Sequence, residues 1–307
     1  MKIKYQDQTF RAETWAIIVK ANEIIAEYDE MGYQLTVRQL YYQFVSRDIL
    51  PNTDKSYDKL SCTISDARLA GLVDWDAIKD RTRHSRSLSH WTSPSEIVEV
   101  AVRQYARDKW EGQPYYVEVW VEKDALIDVI EQASQGLDVT CFSCRGYVSQ
   151  SAMWEASKRF IREGKHNKKC VLFHLGDHDP SGIDMTRDIG DRLTLFRANV
   201  DVRRIALTMD QIRQYNPPPN PAKTSDVRCA GYVREYGDES WELDALDPPV
   251  LAGLIQTNVT PLIVQATKNR VLDQEAKERN ALEEAAESLN ERFSAAEDED
   301  EDPELVE

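Results

Sequence analysis

Three carboxylates fall where two extended, apolar runs end. Val121-Glu122-Lys123 closes the run Tyr116 to Val121, and Gly176-Asp177-His178-Asp179-Pro180-Ser181-Gly182 closes the run Cys170 to Leu175. If the two runs are neighbouring strands, Glu122, Asp177 and Asp179 converge and repel one another unless a cation neutralises them. Magnesium suits such a set. It takes hard oxygen ligands and keeps places for water and substrate phosphate oxygens, which fits phosphoryl-transfer chemistry. Lys123, beside Glu122, and Arg145, which follows the run Val139 to Ser143, are further charged candidates at strand ends, where open parallel sheets bind ligands. An ordinary reading competes, because Asp179 before Pro180 is also a helix cap with proline in the first turn. Glu122 at a matching strand end shifts the balance toward a metal site.

A second chemical candidate lies upstream in a helical pattern. Tyr41 shares a face with Leu40, Phe44 and Val45 and reads as core, whereas Tyr42 shares the polar face with Arg38 and Ser46 at four-residue steps. Tyr42 is therefore expected to be exposed with Arg38 beside it. A phenol, whose ordinary pKa is about 10, needs a nearby cation or metal to act as a nucleophile at neutral pH. The competing reading is a surface aromatic, or one packed against DNA. Cys141 and Cys144 form the only Cys-x-x-Cys, with no second pair to complete a zinc site. Five cysteines in 307 residues give no disulfide framework.

The net charge of −16 argues against a nucleic-acid binder as an average, but it is segregated. Residues 281–307 hold twelve acids and one base, Arg292, so that this segment carries −11 and the other 280 residues carry only −5. From Thr36 to His90 there are nine bases and seven acids. Among them, Arg81, Arg83 and Arg86, with Lys59 and Arg68, form a candidate phosphate-contacting set. No apolar stretch approaches the roughly 20 residues that span a bilayer, and no apolar signal core follows Met1. The expected location is the cytoplasm, with the nucleoid.

The elements that must position these residues fall into two regimes. Apolar spacing predicts helices over residues 10–31, from a capping box at Thr36 and Gln39, and over 54–70. Gly71 follows as a stop, and then a short extended segment from Leu72 to Ile78. Three helices and an extended element suggest a winged helix. After Pro94, with Ser95 as cap, another helix reaches about Trp110.

Strands and helices then alternate. Strands are expected at 116–121, 139–143 and 170–175, with a fourth at 202–207, and helices at 124–135, 149–163 and 181–196. This predicts an α/β chain with a parallel sheet covered on both faces. Residues 216–224 hold four prolines and read as a connector, a candidate loop over the site. Helices are expected again over 241–255 and 266–293, and the stretch from Ala295 is too acidic to fold. The expected organisation is a helical, winged-helix DNA-binding domain (1–93), a metal-binding sheet domain (94–265), a C-terminal helix (266–294) and a disordered acidic tail (295–307).

Thr36-Val-Arg-Gln-Leu-Tyr-Tyr42, Val121-Glu-Lys-Asp124, Arg145-Gly-Tyr147 and Asp177-His-Asp-Pro-Ser-Gly182, in this order, resemble the A subunit of topoisomerase VI. The same family includes the meiotic double-strand-break transesterases and small stand-alone relatives. The resemblance spans roughly residues 30–250, including Trp241-Glu-Leu-Asp-Ala-Leu246. It implies a multidomain α/β chain: a winged helix whose tyrosine attacks DNA, then a Toprim domain, with its Rossmann-like parallel sheet, whose carboxylates hold Mg2+. By position, Tyr42 would be the nucleophile and Arg38 would assist it. Glu122, Asp177 and Asp179 would bind the metal, and Glu242 would add a carboxylate. The product would be a phosphotyrosine bond at a DNA 5′ end. Family members act on double-stranded DNA as homodimers in which each tyrosine faces the partner's metal site. The chain departs from the family after Gly146, where Tyr-Val-Ser-Gln replaces a proline-containing version, and it shows no ATPase domain, so strand passage would need a separate subunit.

Two other readings stay open. One is a Toprim-type nuclease, resembling the nuclease subunit of the Wadjet plasmid-defence system, in which the metal activates water and Tyr42 is a bystander. The other is a non-catalytic DNA-binding protein.

Overall fold

Apolar residues recurring every three or four positions set the first helices. α1 (Ala12–Glu30), α2 (Val37–Ser46) and α3 (Asp54–Leu69) are followed by α4 (Pro94–Gln104). The computed structural model describes residues 1–78, 88, 90–222 and 226–300; of residues 94–95 and 293–300 it describes the backbone. The first three helices bury Ile18, Ala21, Ile24, Leu40, Phe44, Leu60 and Ile64 in one core. The capping box is present, Thr36 accepting from the Gln39 N–H and the Gln39 side chain accepting from the Thr36 N–H at 2.9 Å.

The expected extended segment after α3 is absent. Residues 71–77 run through turns and bends, and one parallel bridge joins Leu35 to Ile78. The cause is Arg68, whose guanidinium donates to the carbonyls of Trp75 and Ile78 and curls the segment back onto α3. The helix at Pro94 starts two residues earlier than expected, capped by Ser93 rather than Ser95, and stops at Gln104 rather than near Trp110.

The second regime is a sheet of four parallel strands in the order β2-β1-β3-β4. The strands are β1 (Tyr115–Val121), β2 (Thr140–Ser143), β3 (Lys169–Leu175) and β4 (Val200–Ala206), close to the expected runs. Near-continuous burial of β1 and β3 marks them as central strands covered on both faces. α5 (Ile127–Gln135) packs on β1 and β2. α6 (Gln150–Lys165) and α7 (Pro180–Leu195) enclose Trp120, Phe160, Leu172, Met185 and Ile189. A fully buried carboxylate lies within this core: Glu118 takes both oxygens to the Arg159 guanidinium at 2.8 and 2.9 Å and accepts from Trp120 Nε1 at 2.8 Å.

Beyond β4 come α8 (Met209–Tyr215), β5 (Asn220–Pro221), α9 (Cys229–Tyr236), β6 (Glu239–Ser240) and α10 (Pro248–Val259). The proline-rich connector is thus partly structured, β5 pairing antiparallel with β6. The single helix expected over 241–255 is instead an extended Trp241, a short 3-10 turn at Leu243–Ala245 and α10. Pro248 and Pro249 lack the N–H groups a continuing helix needs, but Pro248 suits a first helical position, so the helix starts there.

Contacts divide the chain into two units, Met1–His84 with Tyr115–Pro261, and Ser85–Pro114 with Leu262–Glu307. The three-helix core and the sheet therefore belong to one unit, whereas the sequence suggested a boundary at residues 93 and 94. In the second unit α4 lies against α11 (Gln265–Asp300). Arg107 pairs with Glu278 at 2.8 Å, and Lys109 pairs with Glu275. α11 continues past Ala295, the expected start of disorder, to Asp300; Ala295 and Ala296 favour helix and no proline intervenes before Pro303. Among the described residues no single helix is long and apolar enough to cross a membrane.

Candidate active site

Because β1 and β3 pair in register through Val121 and Leu175, Glu122 and the Gly176-Asp177 turn emerge side by side. The Asp177 N–H donates to Glu122 at 2.9 Å, and both carboxylates are buried. Burial raises the proton affinity of each, the Asp177 charge raises that of Glu122 further, and Lys123 opposes both shifts. Asp177 uses Oδ1 to accept from the Leu243 N–H at 2.8 Å and Oδ2 to meet Lys123 Nζ at 2.9 Å.

Lys123 Nζ also lies 2.9 Å from Glu242 and 3.1 Å from Asp244. A second cation, Arg38 of α2, reaches the same two carboxylates, its Nε donating to Asp244 at 2.7 Å and its Nη2 to Glu242. Burial works to raise the pKa of Glu242, yet Lys123 and Arg38 hold it down at about 2. Asp244 is fully buried as a side chain and its Oδ1 has no partner.

Tyr42 is 4% exposed, which corrects the expectation of an exposed phenol. On the polar face of α2, Arg38 meets the turn carrying Glu242 and Asp244 and Tyr42 is covered, whereas Ser46 stays exposed. The Glu242 charge acts on the Tyr42 phenol, and Arg38 lies 5.7 Å from the ring centre. Burial and the Glu242 charge push the phenol well above its usual range, against the pull of Arg38 and Lys123. Tyr41 is in the core as expected, its hydroxyl accepting from the Thr53 N–H at 2.8 Å. A pocket of about 230 Å³ brings together Arg38, Tyr42, Asp177, Asp179, Glu242 and Asn220.

Asp179 caps α7, its Oδ1 accepting from the Gly182 N–H at 2.6 Å, so the ordinary reading of this residue describes its present contact. Among the described residues no three Asp, Glu, His or Cys side chains stand close enough to hold a metal ion. A closed three-carboxylate cage is therefore not what these residues form. Magnesium is commonly held by one or two carboxylates with water and substrate phosphate, and the buried Glu122–Asp177 pair suits that mode. The unpartnered Asp244 oxygen is further evidence of anionic excess.

Arg204 was not singled out from the sequence. It is half-buried, and its guanidinium donates to the carbonyls of Gly176, Asp177, Gly182 and Leu207 and to Thr186 Oγ1. These bonds fasten the acidic turn to β4. An arginine inside a strand carries no sequence signal of this task. Nor did Asp244 stand out, because its role depends on the irregular backbone before α10.

The remaining candidates are dispersed. Arg145 is 74% exposed and pairs with Asp124 at 3.0 Å. Lys59 pairs with Glu13 at 2.6 Å. Arg68 is occupied by backbone carbonyls, and Arg81, Arg83 and Arg86 lie outside the described residues. Cys141 and Cys144 are free. No family model matches the chain, and no curated protein matches it.

Proposed function

We propose that this chain breaks double-stranded DNA by tyrosine transesterification, with a winged-helix-like first part and a Toprim-like sheet. The observation that carries this reading is the shared pocket of Tyr42, Arg38, Glu242, Asp177 and Asp179. The phenol gives up its proton to solvent, the Tyr42 oxygen bonds to phosphorus, and the 3′ oxygen of the DNA leaves and takes up a proton from solvent. Arg38, fixed by Asp244, stabilises the phenolate as it forms. Glu122 and Asp177 would hold Mg2+, which when bound would neutralise phosphate charge.

The pocket draws Tyr42 and the carboxylates from one chain, so this chemistry does not require the tyrosine to face a partner's site. A homodimer and a separate ATPase subunit remain part of the proposal for any reaction on two strands or any strand passage. Burial of Tyr42 favours a second reading, a metal-dependent nuclease in which the phenol only packs.

Supercoiled DNA incubated with the protein and Mg2+, then quenched with detergent, separates them. Covalent protein–DNA adducts that vanish in Tyr42→Phe support transesterification. Cleavage that survives this substitution without adducts supports the nuclease, and binding without any cleavage refutes both.

A further inference from the structure

At the opposite end of the sheet from the carboxylates lies a groove of about 670 Å³, bounded by the starts of β1, β3 and β4 and the ends of α6 and α7. Five bases line it, Lys165, Lys168, Lys169, Arg197 and Arg203, against one lining acid, Asp201. In a chain of net charge −16 this concentration is unusual. Much of it is unspent. Lys168 pairs with Glu163 at 3.1 Å and Arg203 with Asp201 at 2.8 Å, but Lys165, Lys169 and Arg197 are exposed, Lys169 lying 5.9 Å from the Tyr115 ring centre.

Bases near helix C-termini also serve to complement the helix dipole, so that role must be subtracted. Two helix ends contribute about −0.5 each. With Asp201 and Glu163 counted as well, the groove keeps an excess of roughly +2 for an external anion.

We propose that this groove binds the phosphodiester backbone of duplex DNA at a contact separate from the candidate active site. Strands of seven residues set the two sites roughly 20 Å apart. Arg197 supplies a planar fork that matches two phosphate oxygens, Lys165 and Lys169 supply point charges, and Asn199 adds a neutral donor. The proposal rests on the DNA-cleaving reading for its choice of polyanion. Its contact adds affinity without sequence preference, because phosphate contacts carry no base information.

The test uses the full chain in EDTA, a fluorescent 20-base-pair duplex, and the variant Lys165→Gln/Lys169→Gln/Arg197→Gln, whose exposed positions leave folding intact by circular dichroism. Affinity at low salt should fall about 10-fold, and the slope of log affinity against log salt should become shallower by roughly 2 to 3. Unchanged affinity and slope would overturn the proposal. So would unchanged duplex binding with lost binding of a poly-glutamate peptide, which would assign the groove to an acidic segment such as residues 281–307. The adduct assay with Tyr42→Phe reports separately. Absent adducts with the expected loss of affinity refute the cleavage mechanism and keep the groove, whereas adducts with unchanged affinity do the reverse.

Discussion

Replacing Lys123 by methionine removes the cation shared by three carboxylates while keeping the length of the side chain. Its ammonium lies 2.9 Å from Asp177, 2.9 Å from Glu242 and 3.1 Å from Asp244. Arg38 remains to compensate Glu242 and Asp244, so the loss falls chiefly on Asp177, which is 7% exposed. Breaking a buried ion pair from one side costs about 3–5 kcal/mol, and the retained Leu243 N–H and partial exposure of Lys123 place this case near 3 kcal/mol.

The assay is urea unfolding at pH 8 and pH 5. Without Lys123, Asp177 binds a proton more readily, so the deficit should shrink at pH 5. It should also shrink at pH 8 on adding Mg2+, which would neutralise the Glu122–Asp177 pair once the ammonium on Asp177 is gone. Adding Asp177→Asn should recover part of the loss, since the uncompensated charge is then gone. A deficit under about 1 kcal/mol, unchanged by pH, would refute the claim that Lys123 holds the cluster together.

Other expectations follow from the same geometry. Glu242→Gln should lower adduct formation about 10-fold while leaving DNA binding in EDTA within twofold, because it loosens Arg38 beside Tyr42 and removes no DNA contact; equal loss of both would contradict that role. Buried His174 is held near pH 3 by burial and by Arg204, well below its unfolded value of 6.5. The unfolded chain therefore takes up the proton first, and stability falls as pH drops below 6.5, with a slope of up to about 1.4 kcal/mol per unit. His174→Gln should flatten that acid slope in urea unfolding, and an unchanged slope would assign it elsewhere. A Cβ at Gly182 would collide with the Asp177 carbonyl and approach Glu122 Oε2 at 3.0 Å. Gly182→Ala should cost about 2 kcal/mol and displace the acidic turn, read as altered amide shifts around Asp177; native stability would show that the turn yields freely. Thr36→Ala should cost about 1 kcal/mol by removing the cap of α2, measured by thermal unfolding.

The sequence by itself determined the parallel sheet and most of its helices. Apolar runs bounded by turn residues locate β1 to β4, and three- and four-residue spacing locates α1 to α3, because both patterns are local consequences of which face must be buried. It also brought Glu122 and Asp177 to adjacent strand ends, where strand pairing is the only further requirement. Tyr42 shows the limit of this reasoning. Its helix position marked a polar face, but only the tertiary structure decided that Arg38 on this face meets Glu242 and Asp244 and that Tyr42 is covered.

The same holds for Arg204 and Lys123, whose partners come from distant segments and whose charge alone says nothing of where it is neutralised. The C-terminal part of the first unit was least legible. Prolines and a 3-10 turn there break the periodicity on which helix assignment depends, and side-chain bonds to the rest of the site fix its path. Burial patterns propagate along a chain and can be read from it. The pairing of charges across a fold depends on distances between segments, and those exist only once the core has formed.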